Sequence, residues 1–385
     1  MTARLLPLVA LLLTFAAAVA LPARAQEVTT TATHAYLIDD TTGAVLFEKN
    51  ADQRMHPSSM SKLMTVYMVF ERLKEGRLKM DDTFPVTEKA WRMQGSKMFV
   101  ALNSRVSVED LLRGVIIQSG NDACVVFAEG LGGSESAFAE EMTKRGKALG
   151  LTNSTFINAS GWPHDDHLTT PHDLAILAKH LIDTFPEYYK IYSEKEFTYH
   201  GIKQGNRNPL LYKDTGTDGL KTGHTEAAGY GLVASAKRGD RRLILVLNGM
   251  KSVNERSREA ERLMDWGFRE FGNYALFKAG DTIAEAPVWL GDKATVPLVA
   301  EKNVVATMTK KSRNGMQVKV KYDEPIAAPI AKGAKVGTIQ ITAPDMKPVE
   351  MALLTGGEVE QLGVLGRLGA AVSYLLMGPP APRKN

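Results

Sequence analysis

Apolar and polar positions change their period several times along the chain, and each change marks an element. Between Ala35 and Lys49, two apolar runs flank Asp39-Asp40-Thr41-Thr42-Gly43, which predicts two short strands around a turn. From Pro57 to Gly76, Met60, Leu63, Met64, Tyr67, Phe70 and Leu73 recur at intervals of three and four, a helical stripe that Gly76 stops. Val108 to Gly130 reads as two helical pieces interrupted by Ser119-Gly120-Asn121. Ser134 to Gly150 is an amphipathic helix with Phe138, Met142 and Leu149 inward, and Asp173 to Phe185 is another. Gly219–Lys237 and Arg242–Gly249 read as antiparallel strands joined at Gly239-Asp240. Arg258 to Phe271 closes the unit as a helix carrying Leu263, Trp266 and Phe268. Strands at both ends with helices between make residues 26–272 an α+β unit.

After Asn273 the helical period vanishes. Short alternating runs such as Met316–Tyr322 and Gly337–Thr342, separated by turn residues, predict a small all-β domain over residues 275–355. Thr355-Gly356-Gly357 then leads into residues 358–378, a short amphipathic helix with Leu365, Leu368, Val372, Leu375 and Leu376 on one face and Arg367 and Ser373 off it. It is too short to span a bilayer, which takes about 20 residues, but long enough to lie in the interface as a peripheral anchor. The alternative is that it packs on the β-domain.

Residues 1–25 follow a different logic. Met1-Thr2-Ala3-Arg4, an apolar run from Leu5 to Leu21 and the small-residue pattern Ala23-Arg24-Ala25 have the form of a secretory signal cleaved after Ala25, so an exported, periplasmic protein is expected. The formal charge of +4 includes two arginines of this leader; without them 45 basic side chains face 43 acidic ones, a balance that offers nothing to nucleic acid. With 44% hydrophobic and 23% charged residues, the composition is that of a globular chain and excludes disordered or collagen-like readings. One cysteine, Cys124, excludes an intramolecular disulfide and a thiolate cluster, and a lone helical thiol reads as core.

The candidate chemistry lies in three short motifs: Ser59-Met60-Ser61-Lys62, Ser119-Gly120-Asn121 and Lys221-Thr222-Gly223. Each alone is an ordinary helix start, turn or strand end; in this order, and on these elements, they form a constellation. Ser59 begins the apolar helix, where backbone N–H groups face developing negative charge. Lys62 is one turn on, within reach of the Ser59 hydroxyl, and serves as a base if burial and a second cation, Lys221, lower its pKa. Thr222 offers a hydroxyl to a carboxylate, and Gly223 lets a substrate backbone lie along a strand edge. Ser119 can pass a proton to a leaving amine, and Asn121 can hold a substrate amide.

The longer strings around these motifs, His56–Thr65, Gly114–Ala123, Asp218–Thr225 and Arg258–Glu261, resemble the serine-type D-alanyl-D-alanine carboxypeptidases, the low-molecular-mass penicillin-binding proteins. The resemblance covers about residues 30–272 and extends more loosely to the C-terminus. It implies a penicillin-recognising serine transpeptidase/β-lactamase-like catalytic domain. The implied activity is removal of the terminal D-alanine from peptidoglycan pentapeptides through an acyl-enzyme on Ser59, with β-lactams as covalent inhibitors and no cofactor. Lys62 is then the base and Ser119 the proton relay. The resemblance also implies a second oxyanion N–H from His224 and a substrate-carboxylate arginine on or near the closing helix, for which Arg258 is the match. Two departures stand out: Ser58 precedes the nucleophile where alanine is usual, and the C-terminal stretch is poor in aromatic and basic residues.

Rival readings carry less. Trp162-Pro163-His164-Asp165-Asp166-His167 with His172-Asp173 holds metal-capable side chains, but nothing else in the chain supplies a metal's reaction, so no metal is expected. A β-lactamase or esterase on the same fold needs a deacylating Glu-x-x-x-Asn between Asn121 and Lys221, and none is evident. A catalytically idle binding protein needs a broken motif, and none is broken.

Overall fold

The computed structural model describes residues 28–344 and 346–377. The leader expected over residues 1–25 lies outside the described residues.

Strands β1 (His34–Asp39) and β2 (Val45–Lys49) form the expected hairpin, turned by Asp39, whose Oδ1 accepts the N–H groups of Thr41 and Thr42. The helices follow: α1 (Lys62–Lys74), α2 (Val108–Ile116), α3 (Asn121–Gly132), α4 (Glu135–Ala148) and α5 (Pro171–Thr184). Ser107, Ser134 and Thr170 cap α2, α4 and α5, each accepting an otherwise orphaned first-turn N–H. Two expectations change. Gly219–Lys237 is not one strand but most of a hairpin, β3 (Thr217–Thr225) and β4 (Gly229–Arg238), because Gly229 takes a φ of +67° that closes the turn. After β5 (Arg241–Met250), the closing helix α6 runs over Val253–Glu270 and so begins ahead of Arg258. Ser252 accepts the Glu255 N–H, and the Glu255 carboxylate reaches back to the Lys251 N–H, a cap written in the sequence as Ser-x-x-Glu.

The five strands make one antiparallel sheet in the order β2-β1-β5-β4-β3, which leaves β3 at an edge. Alternation along the strands serves two layers. Tyr36, Ile38, Ile244 and Val246 point into the core shared with α1–α5, while Leu37 and Leu243 close on Gly267 of α6. A Cβ at Gly267 would stand 2.9 Å from both leucines, so glycine sets how closely the helix approaches the sheet.

The β-domain follows without a break. Strand β6 (Phe271–Phe277) pairs with β9 (Val304–Thr309); β7 (Thr282–Trp289), β8 (Thr295–Ala300), β10 (Gln317–Tyr322), β11 (Lys335–Thr342) and β12 (Val349–Thr355) form a sheet in the order β10-β11-β12-β8-β7, edged by the two-residue strand Ile326–Ala327. Val296, Leu298, Ile339, Ile341 and Leu353 fill its core. It is tied to the first sheet through buried Asp39, which accepts from Arg241 at 2.8 Å and from Asn273 at 3.0 Å.

The last element is α7 (Val364–Met377). Val364, Leu365, Leu368, Val372 and Leu375 are exposed on it, Leu365 by 86%, so these side chains are not buried on the β-domain. Among the described residues, no helix is long and apolar enough to cross a membrane.

Candidate active site

The first motif starts differently from its expectation. Ser58–Ser61 is a 3-10 turn, and the α-helix begins at Lys62. Ser58 takes a φ of +50°, a left-handed conformation unusual for a side-chain-bearing residue, and its hydroxyl pairs with Thr225 at the end of β3, at 3.1 Å. The turn packs on β3 through Gly223, where a Cβ would stand 2.8 Å from the Pro57 carbonyl oxygen. Glycine in the third motif is therefore required by the protein's own packing.

Lys62 is fully buried, and its Nζ donates to Ser59 Oγ at 2.8 Å, to Asn121 Oδ1 at 2.8 Å and to the Ser160 carbonyl at 2.5 Å. Burial lowers its pKa from 10.5 to about 8; Cys124 opposes that shift, the Arg207 cation adds to it, and Asp122 opposes it least. Arg207 is thus a further cation acting on Lys62, beside the mutual repulsion of Lys62 and Lys221. Lys221 is itself held well below the ordinary lysine range, first by burial and then by Lys62 and Arg207. Its Nζ donates to Ser119 Oγ at 2.9 Å, so the second and third motifs meet directly.

Ser119 also takes a left-handed φ, +60°, at the break between α2 and α3. Asn121 opens α3, and its Nδ2 donates to the Gln94 carbonyl while its N–H donates to the Ser96 carbonyl. Beside it, buried Asp122 accepts the N–H groups of Met98, Phe99 and Val100 and so pins the 94–100 segment against the site. Cys124, one turn into α3, is buried, and burial raises its thiol to about 12, which leaves it an inert core group.

Ser59, Ser119, Thr222, Gly223 and His224 line one cleft of about 410 Å³, together with Ser96, Arg207, Tyr230, Val253 and Arg256. Lys62, Asn121 and Lys221 stand behind this surface, joined to it by the bonds above. The imidazole of His224 stacks on Tyr230 with centroids 3.9 Å apart, and Arg256 lies over the same tyrosine ring. Arg258 is exposed and does not line the cleft; the arginine of α6 that does is Arg256. Its first-turn position follows from the Ser252 cap, the signal by which it was findable. Arg207, from a loop with no periodicity, had no such signal. Among the described residues neither arginine makes an ion pair, and Arg256 Nε has no hydrogen-bond partner. Burial lowers the pKa of Arg256 to about 10 and of Arg207 in the same direction. Buried Arg256 and exposed Arg207, the latter donating to Ser96 Oγ, thus bring to the cleft two guanidiniums without a carboxylate partner, an arrangement suited to binding a carboxylate.

The histidine-rich loop does not converge. His167 is buried against Ser61, His172 pairs with Asp52, and His164 holds the Asp166 N–H. Among the described residues, no group of three or more His, Cys, Asp or Glu side chains is arranged to hold a metal.

A family model described as D-alanyl-D-alanine carboxypeptidase matches residues 21–252, and one described as the penicillin-binding protein 5 C-terminal domain matches residues 271–361. The chain is 40% identical over 342 residues to the D-alanyl-D-alanine carboxypeptidase DacA of Haemophilus influenzae, covering 86% of each chain. It is 41% identical over 340 residues to DacC of Escherichia coli, covering 86% of this chain and 85% of that one. The solved structure of penicillin-binding protein 5 from H. influenzae superposes with a TM-score of 0.80 at 39% identity, covering 86% of this chain and 98% of that one. Penicillin-binding protein D2 of Listeria monocytogenes, solved in an ampicillin-bound form, is similar over 63% of this chain and 98% of its own, at 32% identity and a TM-score of 0.58.

Proposed function

The chain belongs to the D-alanyl-D-alanine carboxypeptidase family, as an enzyme of the penicillin-binding protein type, and from that premise we propose how its own residues perform the reaction. The observation that carries the proposal is the 2.8 Å contact between Ser59 Oγ and the buried Nζ of Lys62, beside a cleft that Arg207 and Arg256 line without a carboxylate partner among the described residues. Neutral Lys62 takes the Ser59 proton as Oγ attacks the carbonyl carbon of the penultimate D-alanine. Backbone N–H groups of Ser59 and His224 receive the oxyanion. The C–N bond then breaks as Ser119, hydrogen-bonded to Lys221, delivers a proton to the leaving D-alanine amine, and water hydrolyses the ester. Arg256 and Arg207, with Thr222, hold the terminal carboxylate; that role passes to Arg256 from Arg258. Asn121, released from Lys62 as substrate enters, holds the peptide amide, and β3 offers its free edge to the peptide backbone.

Residues 1–25 export the protein, and its substrate is the peptidoglycan pentapeptide. The exposed apolar stripe of α7 keeps the enzyme at the membrane surface as a peripheral anchor. Ending the chain after Gly357 should move it from the membrane to the soluble extracytoplasmic fraction; an unchanged distribution removes the anchor from the proposal. The chemistry is tested with benzylpenicillin and intact-mass analysis. Wild type should gain one drug mass on the peptide holding Ser59, and Ser59→Ala none. Rapid turnover of the drug without an adduct would favour a β-lactamase instead.

A further inference from the structure

One buried titratable side chain beside the nucleophile has no part in that chemistry. His167 is 2% exposed. Its Nδ1 accepts the Ile157 N–H at 3.3 Å, which assigns the ring proton to Nε2, and Nε2 lies 2.7 Å from Ser61 Oγ as the donor. Phe156 meets the ring edge-on, and the titratable groups facing it are His164 from its own loop, Lys62 from α1 and His56 ahead of the 3-10 turn. All three oppose a second proton, and burial opposes it more, so the imidazole stays neutral down to about pH 4 and keeps both bonds.

Ser61 sits directly before Lys62, and the loop that carries His167 also touches the first turn of α1 at two further points. The Ser160 carbonyl accepts from Lys62 Nζ at 2.5 Å, and the Ala159 carbonyl accepts from Thr65 Oγ1 at 2.6 Å. Gly161, at a φ of +75°, lies so near the Ser58 backbone that a Cβ would stand 1.8 Å from the Ser58 carbonyl oxygen. Loop and nucleophile turn therefore have no slack between them, and the imidazole is the strut at the far end of the contact.

We propose that His167 is a positioning residue for Lys62: by joining Ser61 to the Ile157 backbone, it fixes the Ser160 carbonyl and hence the aim of the amine at Ser59. The proposal rests on the reading of Ser59 as nucleophile and Lys62 as base. An amine displaced by an ångström loses proton transfer while the drug-binding surface, built from Arg207, Arg256 and Thr222, is untouched. The effect is thus on the acylation rate constant and not on the preceding binding constant.

The experiment measures both constants for benzylpenicillin by time-resolved intact mass on the whole protein, with a thermal melt of each variant. His167→Ala should slow acylation about ten- to a hundredfold with binding changed less than about twofold. His167→Gln presents an amide that can accept from Ile157 and donate to Ser61, and should recover to within about threefold of wild type. If His167→Ala does not fold, Ser61→Ala removes the same strut from its other end and should slow acylation likewise. A folded alanine variant that acylates at the wild-type rate, or a glutamine variant as slow as alanine, overturns the proposal. Ser59→Ala, run alongside, separates the two readings: an adduct surviving there removes the nucleophile assignment, whereas a dead Ser59→Ala beside a fully active His167→Ala removes only the role of His167.

Discussion

The catalytic cleft and the β-domain are built to opposite rules. Around the cleft, Lys62, Lys221, Asp122 and Arg256 are buried charged groups, and Ser58, Phe99 and Ser119 hold left-handed backbone conformations. In the β-domain, among the described residues, the buried side chains are apolar apart from Thr307, Ser312 and Thr355, and none is charged. Its strands follow plain alternation, as in β10, where Gln317, Lys319 and Lys321 face out and Val318, Val320 and Tyr322 pack inward. Left-handed residues cost on the order of 1–3 kcal/mol each, and a buried cation held below its ordinary pKa adds a cost of similar size. The β-domain has a left-handed residue of its own, Leu290 at a φ of +60°, but among the described residues no buried charge, so buried charge is what ties the cleft to its chemistry and leaves the β-domain to its packing.

The sharpest way to break this comparison is Lys62→Met. Acylation should fall about 10²- to 10⁴-fold, the usual contribution of a general base. Stability should move the other way. A lysine whose pKa falls from 10.5 unfolded to about 8 folded destabilises the fold wherever it is charged in both states, and the penalty fades as pH rises from about 8 to 10.5. Urea unfolding at pH 7 should therefore show the methionine variant more stable by up to about 3 kcal/mol, with the gap narrowing towards pH 10. A clear loss of stability would mean that the three hydrogen bonds of Nζ outweigh its burial.

Leu353→Ala is the counterpart in the β-domain. It should cost about 2–5 kcal/mol in urea unfolding, as a fully buried leucine does, and leave the acylation rate of the folded protein unchanged. A slowed acylation would show that the cleft depends on β-domain packing after all.

The third prediction uses pH. Burial, with lesser contributions from His164, Lys62 and His56, lowers His167 from 6.5 to about 4, so the unfolded chain takes up a proton there before the folded one does. Stability from this group is complete above about pH 6.5 and is lost as pH falls towards 4, up to about 3 kcal/mol. Unfolding free energies at pH 7, 5.5 and 4.5 should fall more steeply for wild type than for His167→Gln; parallel curves would mean the imidazole takes up its proton in the native state. The smallest effect belongs to Arg207→Gln. Loss of that cation should raise the pH midpoint of acylation by less than about one unit, because Arg207 is one of the groups that lower Lys62. A midpoint that falls would show that the guanidinium does not act on Lys62.

Much of this architecture is legible in residue order because its causes are local. The four-residue span from Ser59 to Lys62 brings hydroxyl and amine together on a single turn, whether 3-10 or α. The period-two runs of the β-domain and the stripe of α1 name their own buried faces. Ser252-x-x-Glu255 marks the start of α6, and reading that cap places Arg256 rather than Arg258 in its first turn. What residue order does not determine is which charges lose their water. Lys62 is buried because Ser160, far along the chain, closes over it, and Arg207 reaches the same cleft from a loop with no period. Local geometry decides which side chains can meet; the desolvation of Lys62 and Arg256, and the absence among the described residues of a carboxylate partner for either, arise only when distant segments pack around them.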